Sequence, residues 1–171
     1  MHLVPLNPVD GALPEPQLTE LTSVYASNVA FHRLSGDFPD PEHIDAAQVA
    51  SSLAPDFAHP ASEVLLIRDE PDRSVGVACL LHEHPDPLDT YPWIGLLLIH
   101  ADFHGQGYGR VAVAHIEARL RTDGRDGARL AVLQNNPKAL GFWTTLGYQE
   151  IDRRADRQAG RPCHVLHKQF Q

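Results

Sequence analysis

Residues Leu96–Arg110 read Leu-Leu-Leu-Ile-His-Ala-Asp-Phe-His-Gly-Gln-Gly-Tyr-Gly-Arg. An apolar run ends in a loop with glycine at every second position, and an amphipathic segment begins at once. This order predicts a strand, a glycine turn and the first turn of a helix. Successive backbone N–H groups in such a turn converge on one point, where the helix dipole adds partial positive charge. The stretch therefore predicts an anion site, most often one for phosphate.

The length and composition are those of one globular domain spanning residues 1–171. Hydrophobic residues make up 43% of the chain and charged residues 21%, which is an ordinary globular balance. The net charge of −8 argues against a nucleic-acid binder that rests on a general basic surface. An acidic surface would suit a cationic acceptor, but solubility alone explains it equally well.

Cysteine usage and apolar segments indicate the compartment. The chain has only two cysteines, Cys79 and Cys163, which do not form a disulfide framework and fit a reducing environment. The first residues lack a basic region followed by a long apolar stretch, and no apolar run approaches membrane-spanning length. We therefore expect a cytoplasmic protein with no membrane partner.

The order of elements predicts a mixed α/β domain: a twisted mixed sheet of six to seven strands flanked by about four helices. Apolar spacing predicts a first helix, and the Asp40-Pro41 pair is a good start for a second. Two-sided apolar strands indicate a sheet covered on both faces. The predicted helices are 17–34, 41–53, 108–121 and 137–146, and the predicted strands are 3–6, 63–69, 74–83, 93–100, 128–134, 148–153 and 163–170.

Two common phosphate loops do not match the glycine stretch. A P-loop needs Lys followed by Ser or Thr, whereas Arg110 and Val111 follow Gly109. A dinucleotide fingerprint needs the spacing G-x-G-x-x-G and an acidic residue after the next strand, where Gln134 and Asn135 stand instead. A nucleotide- or NAD-binding protein is therefore disfavoured, which leaves the pyrophosphate loop for coenzyme A as the third candidate.

Two separate motifs resemble those of the GNAT superfamily of acyl-CoA-dependent N-acyltransferases. The first family motif is Arg/Gln-x-x-Gly-x-Gly/Ala, and the stretch His104–Gly109 matches it except that histidine replaces Arg or Gln. The second is Asn-x-x-Ala-x-x-Phe-Tyr-x-x-x-Gly-Phe/Tyr, which residues 136–148 match except that Trp143 stands at the tyrosine. The motifs occur in the family's order, separated by a helix and a strand.

The resemblance implies roles for particular residues. The segment Leu97–Ile99 (Leu97, Leu98 and Ile99) matches the strand whose backbone pairs with the pantetheine arm, and the Leu98 N–H would polarise the thioester carbonyl. Asn136 and Trp143 match positions next to the cofactor. The pyrophosphate cradle would be formed by His104, Gly105, Gln106, Gly107, Tyr108, Gly109 and Arg110.

The chain departs from the family at its catalytic positions. Trp143 replaces a tyrosine that commonly protonates the leaving thiolate, and an indole N–H is not a practical acid. Ala131, Gly95 and Leu96 stand where relatives carry acidic residues. The bound amine must still lose a proton. The candidate bases are His100, His84, Glu83, Asp86, Asp89, Tyr91 and Tyr25, of which we select Asp86, Tyr91 and Glu83.

The resemblance implies an acetyl-CoA-dependent N-acetyltransferase acting directly on a primary amine of a small molecule or peptide. The alternative is a non-catalytic acyl-CoA-binding module of the same fold. The His82/His84 and His164/His167 pairs lack a third ligand, so we expect no metal. We expect no nucleic-acid partner and a monomer or homodimer.

The acceptor pocket is expected in the segments Val29–Pro41, His84–Tyr91 and Ala155–Pro162. The cluster from Arg153 to Arg161 is expected to be a solvated turn. The fourth and fifth strands should separate beside Leu97–Ile99, because the pantetheine arm needs a free strand edge there.

Overall fold

In the computed structural model, which describes residues 1–171, seven strands and five α-helices follow one another along the chain. The strands are β1 His2–Pro5, β2 Ser62–Asp69, β3 Arg73–Leu81, β4 Trp93–Ile99, β5 Gly127–Leu133, β6 Gln149–Ala155 and β7 Pro162–Gln169. The helices are α1 Glu15–Ser27, α2 Val29–Ser35, α3 Ala46–Ala58, α4 Tyr108–Thr122 and α5 Pro137–Thr145, and a short 3₁₀ helix spans Ala101–Phe103.

One mixed sheet contains all the strands in the order β1-β2-β3-β4-β5-β7-β6. Every neighbouring pair is antiparallel except β4 and β5, which run parallel. These two strands pair only at Trp93↔Arg129 and Ile94↔Leu130, and they are unpaired beyond Ile94. The predicted fold class and the predicted separation of the fourth and fifth strands are confirmed.

A β-bulge explains where β4 leaves β5. Cys79 of β3 pairs with Leu96, and the next residue of β3, Leu80, pairs with Ile94, so Gly95 is the extra residue of β4. A bulge bends its strand and increases the local twist. The bend falls where the β4–β5 ladder stops, and it leaves the rest of β4 with one free edge.

Helices cover both faces of the sheet. On one face α4 and α5 bury Ile116, Leu120 and Trp143 against the strands. On the other face α1 and α3 bury Leu21 and Val49. This two-sided cover accounts for the continuous apolar character of β2, β3 and β4. None of the helices is both long enough and apolar enough to cross a membrane.

The helices differ from the prediction in two places. The segment predicted as the first helix forms two helices, α1 and α2. Asn28 separates them, because it has a non-helical backbone and its side-chain amide donates to the carbonyl oxygens of Val24 and Ile99. The second predicted helix begins at Ala46 instead of Pro41. Asp45 forms a reciprocal capping box with Gln48, whereas Asp40 closes a local turn. The chain therefore has five helices rather than four.

Candidate active site

The loop between β4 and α4 presents a row of unused backbone donors. Gly105 and Gly107 have φ angles of +74° and +87°, and a side chain at either would meet no other atom within 4 Å. None of the backbone N–H groups from Gly105 to Arg110 donates to a protein acceptor, and the first to do so is Val111, to the Gly107 carbonyl. Gly107 caps α4 without a side-chain hydrogen bond. Free N–H groups at a helix N-terminus form a site for an anion.

The free edge of β4 offers donors at alternate residues. The His100 N–H donates to the Val75 carbonyl of β3 at 2.9 Å. Because N–H groups alternate in direction along an extended strand, Leu98 also faces β3, whereas Leu97 and Ile99 face the gap beside β5. The structure therefore brings Leu97 and Ile99 to the free edge and turns the predicted donor, the Leu98 N–H, toward β3.

The last carbonyl oxygen of β4 accepts hydrogen bonds from two side chains. The Ile99 oxygen accepts from Asn28 Nδ2 at 3.0 Å and from His104 Nε2 at 2.7 Å. Since a carbonyl can only accept, Nε2 of His104 carries the proton. His104 stands where the family motif has Arg or Gln, and here its side chain fastens the glycine loop to the end of β4. Asn28 attaches the α1–α2 junction to the same atom.

Tyr108 joins the glycine loop to the hairpin of β2 and β3. Its hydroxyl donates to Asp69 Oδ2 at 2.8 Å and accepts from Arg73 Nη2 at 3.2 Å. Arg73 also pairs with Asp69 at 2.6 Å, and its guanidinium lies over the Phe103 ring. Hydrogen bonds from Arg73 and Tyr108 hold the pKa of Asp69 below its ordinary value. The Tyr108 side chain thus points away from the free N–H groups of the glycine loop and attaches the loop to the hairpin.

Helix α5 supports the loop from the other side. Asn136 Oδ1 accepts from the Ala139 N–H at 3.1 Å and caps the helix. A side chain at Gly109 would lie 3.2 Å from the Phe142 ring, so glycine permits close packing there. Trp143 is buried and makes edge contacts with Phe142 and Tyr148. Its position is that of a core residue beside the loop.

The three selected base candidates lie at the other end of β4. Tyr91 covers Gly127, the first residue of β5, and its hydroxyl donates to Gln169 Oε1 at 3.2 Å. Glu83 and Asp86 follow the end of β3, where Leu81 pairs with Trp93. Asp86 accepts from the Leu88 N–H within its own loop. The structure does not bring these three side chains to the free edge at Leu97–Ile99.

Asp89, another candidate base, is a structural anchor. Its buried carboxylate accepts from Trp93 Nε1 at 2.9 Å and pairs with Arg129 at 2.9 Å. It also accepts from the Tyr91 N–H. A carboxylate held by these partners fixes the loop before β4. The Asp-Pro composition of the loop predicted turns but contained no signal for this long-range pairing.

Two of the three expected acceptor segments come together. Arg161 Nη1 lies 2.7 Å from Asp37 and 2.6 Å from the Ser35 carbonyl, which joins the β6–β7 turn to the end of α2. Asn135 donates to the Leu34 carbonyl at 3.0 Å. The expectation of a solvated turn is wrong at Arg161, because its side chain is only 22% exposed and is held both by Asp156 of the same turn and by Asp37 and the Ser35 carbonyl.

Neither cysteine is available as a nucleophile. Both Cys79 and Cys163 are buried, and burial raises the pKa of each thiol above its ordinary value. A buried thiol that stays protonated is a poor nucleophile. No group of three or more His, Cys, Asp or Glu side chains is arranged to hold a metal ion.

The pattern of the Acetyltransferase (GNAT) family matches residues 27–148. The chain therefore belongs to the GNAT acetyltransferase family, whose activity is acyl transfer.

Solved structures share the fold. An acetyltransferase from Thermus thermophilus is 22% identical with a TM-score of 0.74, over 99% of this chain and 98% of that one. A GCN5-related N-acetyltransferase from Kribbella flavida is 17% identical with a TM-score of 0.64, over 98% of both chains. A spermidine N-acetyltransferase variant from Vibrio cholerae is 13% identical with a TM-score of 0.63, over 99% of this chain and 95% of that one.

Proposed function

We propose that the chain is an N-acetyltransferase that transfers an acetyl group from acetyl-CoA to a primary amine of a small-molecule or peptide acceptor. The observation that carries the proposal is the continuity of two donor sets. The free N–H groups from Gly105 to Arg110 lead directly from the free edge of β4. One set suits a pyrophosphate, and the other suits an extended amide-containing arm that ends in a carbonyl.

Acetyl-CoA, when bound, supplies the acetyl group as a thioester. The N–H groups from Gly105 to Arg110 bind the pyrophosphate, and the exposed Arg110 adds positive charge. The Leu97 N–H is free to donate to the thioester carbonyl, where it stabilises the negative charge that develops on oxygen. The backbone of β4 thus orients and polarises the acyl group, and no side chain is required for that step.

The amine proton needs a route away from the site. An amine with an ordinary pKa of about 10.4 arrives protonated and must lose a proton before attack. Glu83, Asp86 and Tyr91 lie at the Trp93 end of β4 and do not reach the free edge, so a proton can arrive at any of them only through water. We propose that one of them receives it by that route.

The alternative is a non-catalytic acyl-CoA-binding module, and Trp143 is the observation that favours it. It stands at the position of the family's tyrosine acid, and it is the buried residue of α5 that packs into the core. Indole cannot protonate a leaving thiolate. Catalysis remains the better proposal because a CoA thiolate is already a fair leaving group.

Substitution of Gly107 tests whether the glycine loop binds the pyrophosphate. Gly107→Val forces a β-branched residue into a φ angle of +87° and disturbs the free N–H groups. We expect calorimetry to show at least about a tenfold loss of acetyl-CoA affinity, or roughly 1.4 kcal/mol. The matched control is Gly124→Val, at the other end of α4, where φ is +77° and the surroundings are equally open.

Unchanged acetyl-CoA affinity in Gly107→Val, or an equal loss in both variants, would contradict the loop assignment. Release of free thiol with a panel of amines then separates the two functions. Binding without thiol release from any amine would favour the non-catalytic module.

A further inference from the structure

Side chains from two other segments pack against one indole ring, that of Trp93 at the start of β4. The His84 ring stacks on Trp93 with centroids 5.1 Å apart, and the Arg154 guanidinium lies 5.3 Å from the centre of the same ring. His84 belongs to the loop before β4, and Arg154 belongs to β6, three strands away in the sheet. We call His84, Trp93 and Arg154 the tryptophan cluster.

The guanidinium of the tryptophan cluster, that of Arg154, has no carboxylate partner. Arg153 pairs with Glu150 and Arg161 pairs with Asp37 and Asp156, whereas Arg154 and Arg157 form no ion pair. Asp89, the buried carboxylate beside His84, is already paired with Arg129 at 2.9 Å. Arg154 is therefore an unpaired guanidinium in a chain whose net charge is −8.

His84 adds polarity without adding charge. Burial lowers the pKa of its imidazole, Arg157 and Arg154 lower it further, and Asp89 and Asp86 act in the opposite direction. The Asp86 N–H donates to Nδ1 at 3.2 Å, which leaves the proton on Nε2. A neutral His84 therefore carries its N–H at Nε2 and packs on Trp93 without adding charge to the ring that Arg154 also contacts.

The tryptophan cluster lies on the α1 side of the sheet, on the same face as Leu96 and Leu98. Leu96 and Leu98 pack in the core on the α1 side of the sheet. Trp93 shares their face because the Gly95 bulge offsets the alternation. Trp93 and Leu97 are four strand residues apart, or about 10–13 Å. An anion bound here would lie that far along β4 from the thioester carbonyl.

We propose that Arg154, held over the Trp93 ring, binds a carboxylate of the acceptor, so that the acceptor is a primary amine with a carboxylate several bonds away. The planar guanidinium matches a carboxylate in geometry, and the Trp93 ring orients it. The inference rests on the proposed function because it places the anion relative to the β4 edge. It favours an ω-amino acid or a short peptide over a polyamine.

A matched set of amines tests the proposal. Acetyl transfer is measured with ε-aminocaproate, hexylamine and hexamethylenediamine, which share one chain length, and with spermidine. We expect kcat/KM to be at least about tenfold higher for ε-aminocaproate than for hexylamine, because a charge-assisted pair is lost with the carboxylate. A preference for hexamethylenediamine or spermidine would overturn the carboxylate site.

Two neighbouring arginines separate a specific role from a general effect of charge. Arg154→Gln should raise KM for ε-aminocaproate at least about tenfold and leave KM for acetyl-CoA unchanged. Arg153→Gln is the control, because Arg153 is the next residue, lies on the opposite face of β6 and pairs with Glu150. Equal effects of the two substitutions, or none from Arg154→Gln, would overturn the proposal.

Binding without turnover distinguishes this inference from the proposed function. Trp93 fluorescence is recorded in a Trp143→Phe background while the N-acetylated products of ε-aminocaproate and hexylamine are titrated. Saturable quenching by the first alone, lost in Arg154→Gln, supports the carboxylate site even if no amine is acetylated. Identical responses to both compounds would overturn it. Failure of every amine to react, with acetyl-CoA bound, would instead contradict the proposed function.

Discussion

Asp56 shows how a single partly buried carboxyl affects stability. It lies in α3 and accepts from Ser62 Oγ at 2.9 Å. Burial raises the pKa of the Asp56 carboxyl, while the Ser62 hydrogen bond and the nearby His59 partly oppose the shift. An acid with a raised folded-state pKa destabilises the folded state once it ionises. Stability therefore falls as the pH rises from the unfolded pKa, about 3.9, through the raised folded value.

Asp56→Asn should consequently stabilise the protein at neutral pH. The amide oxygen keeps the acceptor for Ser62 and carries no charge. We expect Tm to rise by at most a few degrees at pH 7, since 1 kcal/mol corresponds to roughly 2–4 °C in a domain of this size. The gain should disappear near pH 3, measured by thermal denaturation. Asp126→Asn, at an exposed carboxyl, is the control, and a gain independent of pH would contradict the explanation.

Side chains that act over long sequence distances could not be predicted from the sequence. Asn28 contacts Ile99, Arg161 contacts Asp37, and Asp89 pairs with Arg129. Each residue type was compatible with an exposed loop or helix position. Only the packing of distant elements determines which of them is buried and paired. The glycines were predictable because their conformational role is local.

At the scale of elements, the strands were predicted more closely than the helices. Apolar runs located β2–β5 and β7 to within one or two residues at most ends. The first helix was predicted as one because its apolar spacing continues past Asn28, and the break depends on the bond to Ile99. The start of α3 was predicted too early because Asp40-Pro41 and Asp45 are both good local starts, and the reciprocal bond with Gln48 forms only at the second.

Tyr108 attaches the glycine loop to the β2–β3 hairpin, and this attachment leads to a prediction. Tyr108→Phe removes the hydrogen bonds to Asp69 and Arg73 but retains the ring packed on Phe103. We expect acetyl-CoA affinity to fall about three- to tenfold. A hydrogen bond to a charged group contributes roughly 1.5–3 kcal/mol, and its loss leaves the glycine loop less ordered. Only part of that energy should appear as weaker binding of acetyl-CoA.

Asp69→Asn should have a similar effect on acetyl-CoA affinity, and the double variant should lose less than the sum of the two. That non-additivity is expected of residues in one network. Thr122→Val is the control, since it removes a hydroxyl hydrogen bond at the other end of α4. Additive effects of Tyr108→Phe and Asp69→Asn would contradict the coupling of loop and hairpin.

At the scale of the whole molecule, the site is a gap in the sheet. The Gly95 bulge opens β4, the glycine loop supplies donors at one end of the gap, and α1 and α2 close one side through Asn28. The order of motifs predicted this arrangement, including the separation of β4 and β5. It did not predict which backbone N–H faces the gap, because that depends on the pairing with β3.

This architecture predicts direct transfer with no acyl-enzyme. Cys79 and Cys163 are buried thiols with raised pKa values, and the free edge of β4 presents backbone N–H groups. Intact mass measured after incubation with acetyl-CoA alone should therefore stay unchanged. Cys79→Ala and Cys163→Ala should retain kcat within a few-fold, with thermal denaturation as the check on folding. Because attack requires the neutral amine, kcat/KM should rise toward alkaline pH. A stable acetyl adduct that either substitution removes together with turnover would replace direct transfer by a two-step mechanism.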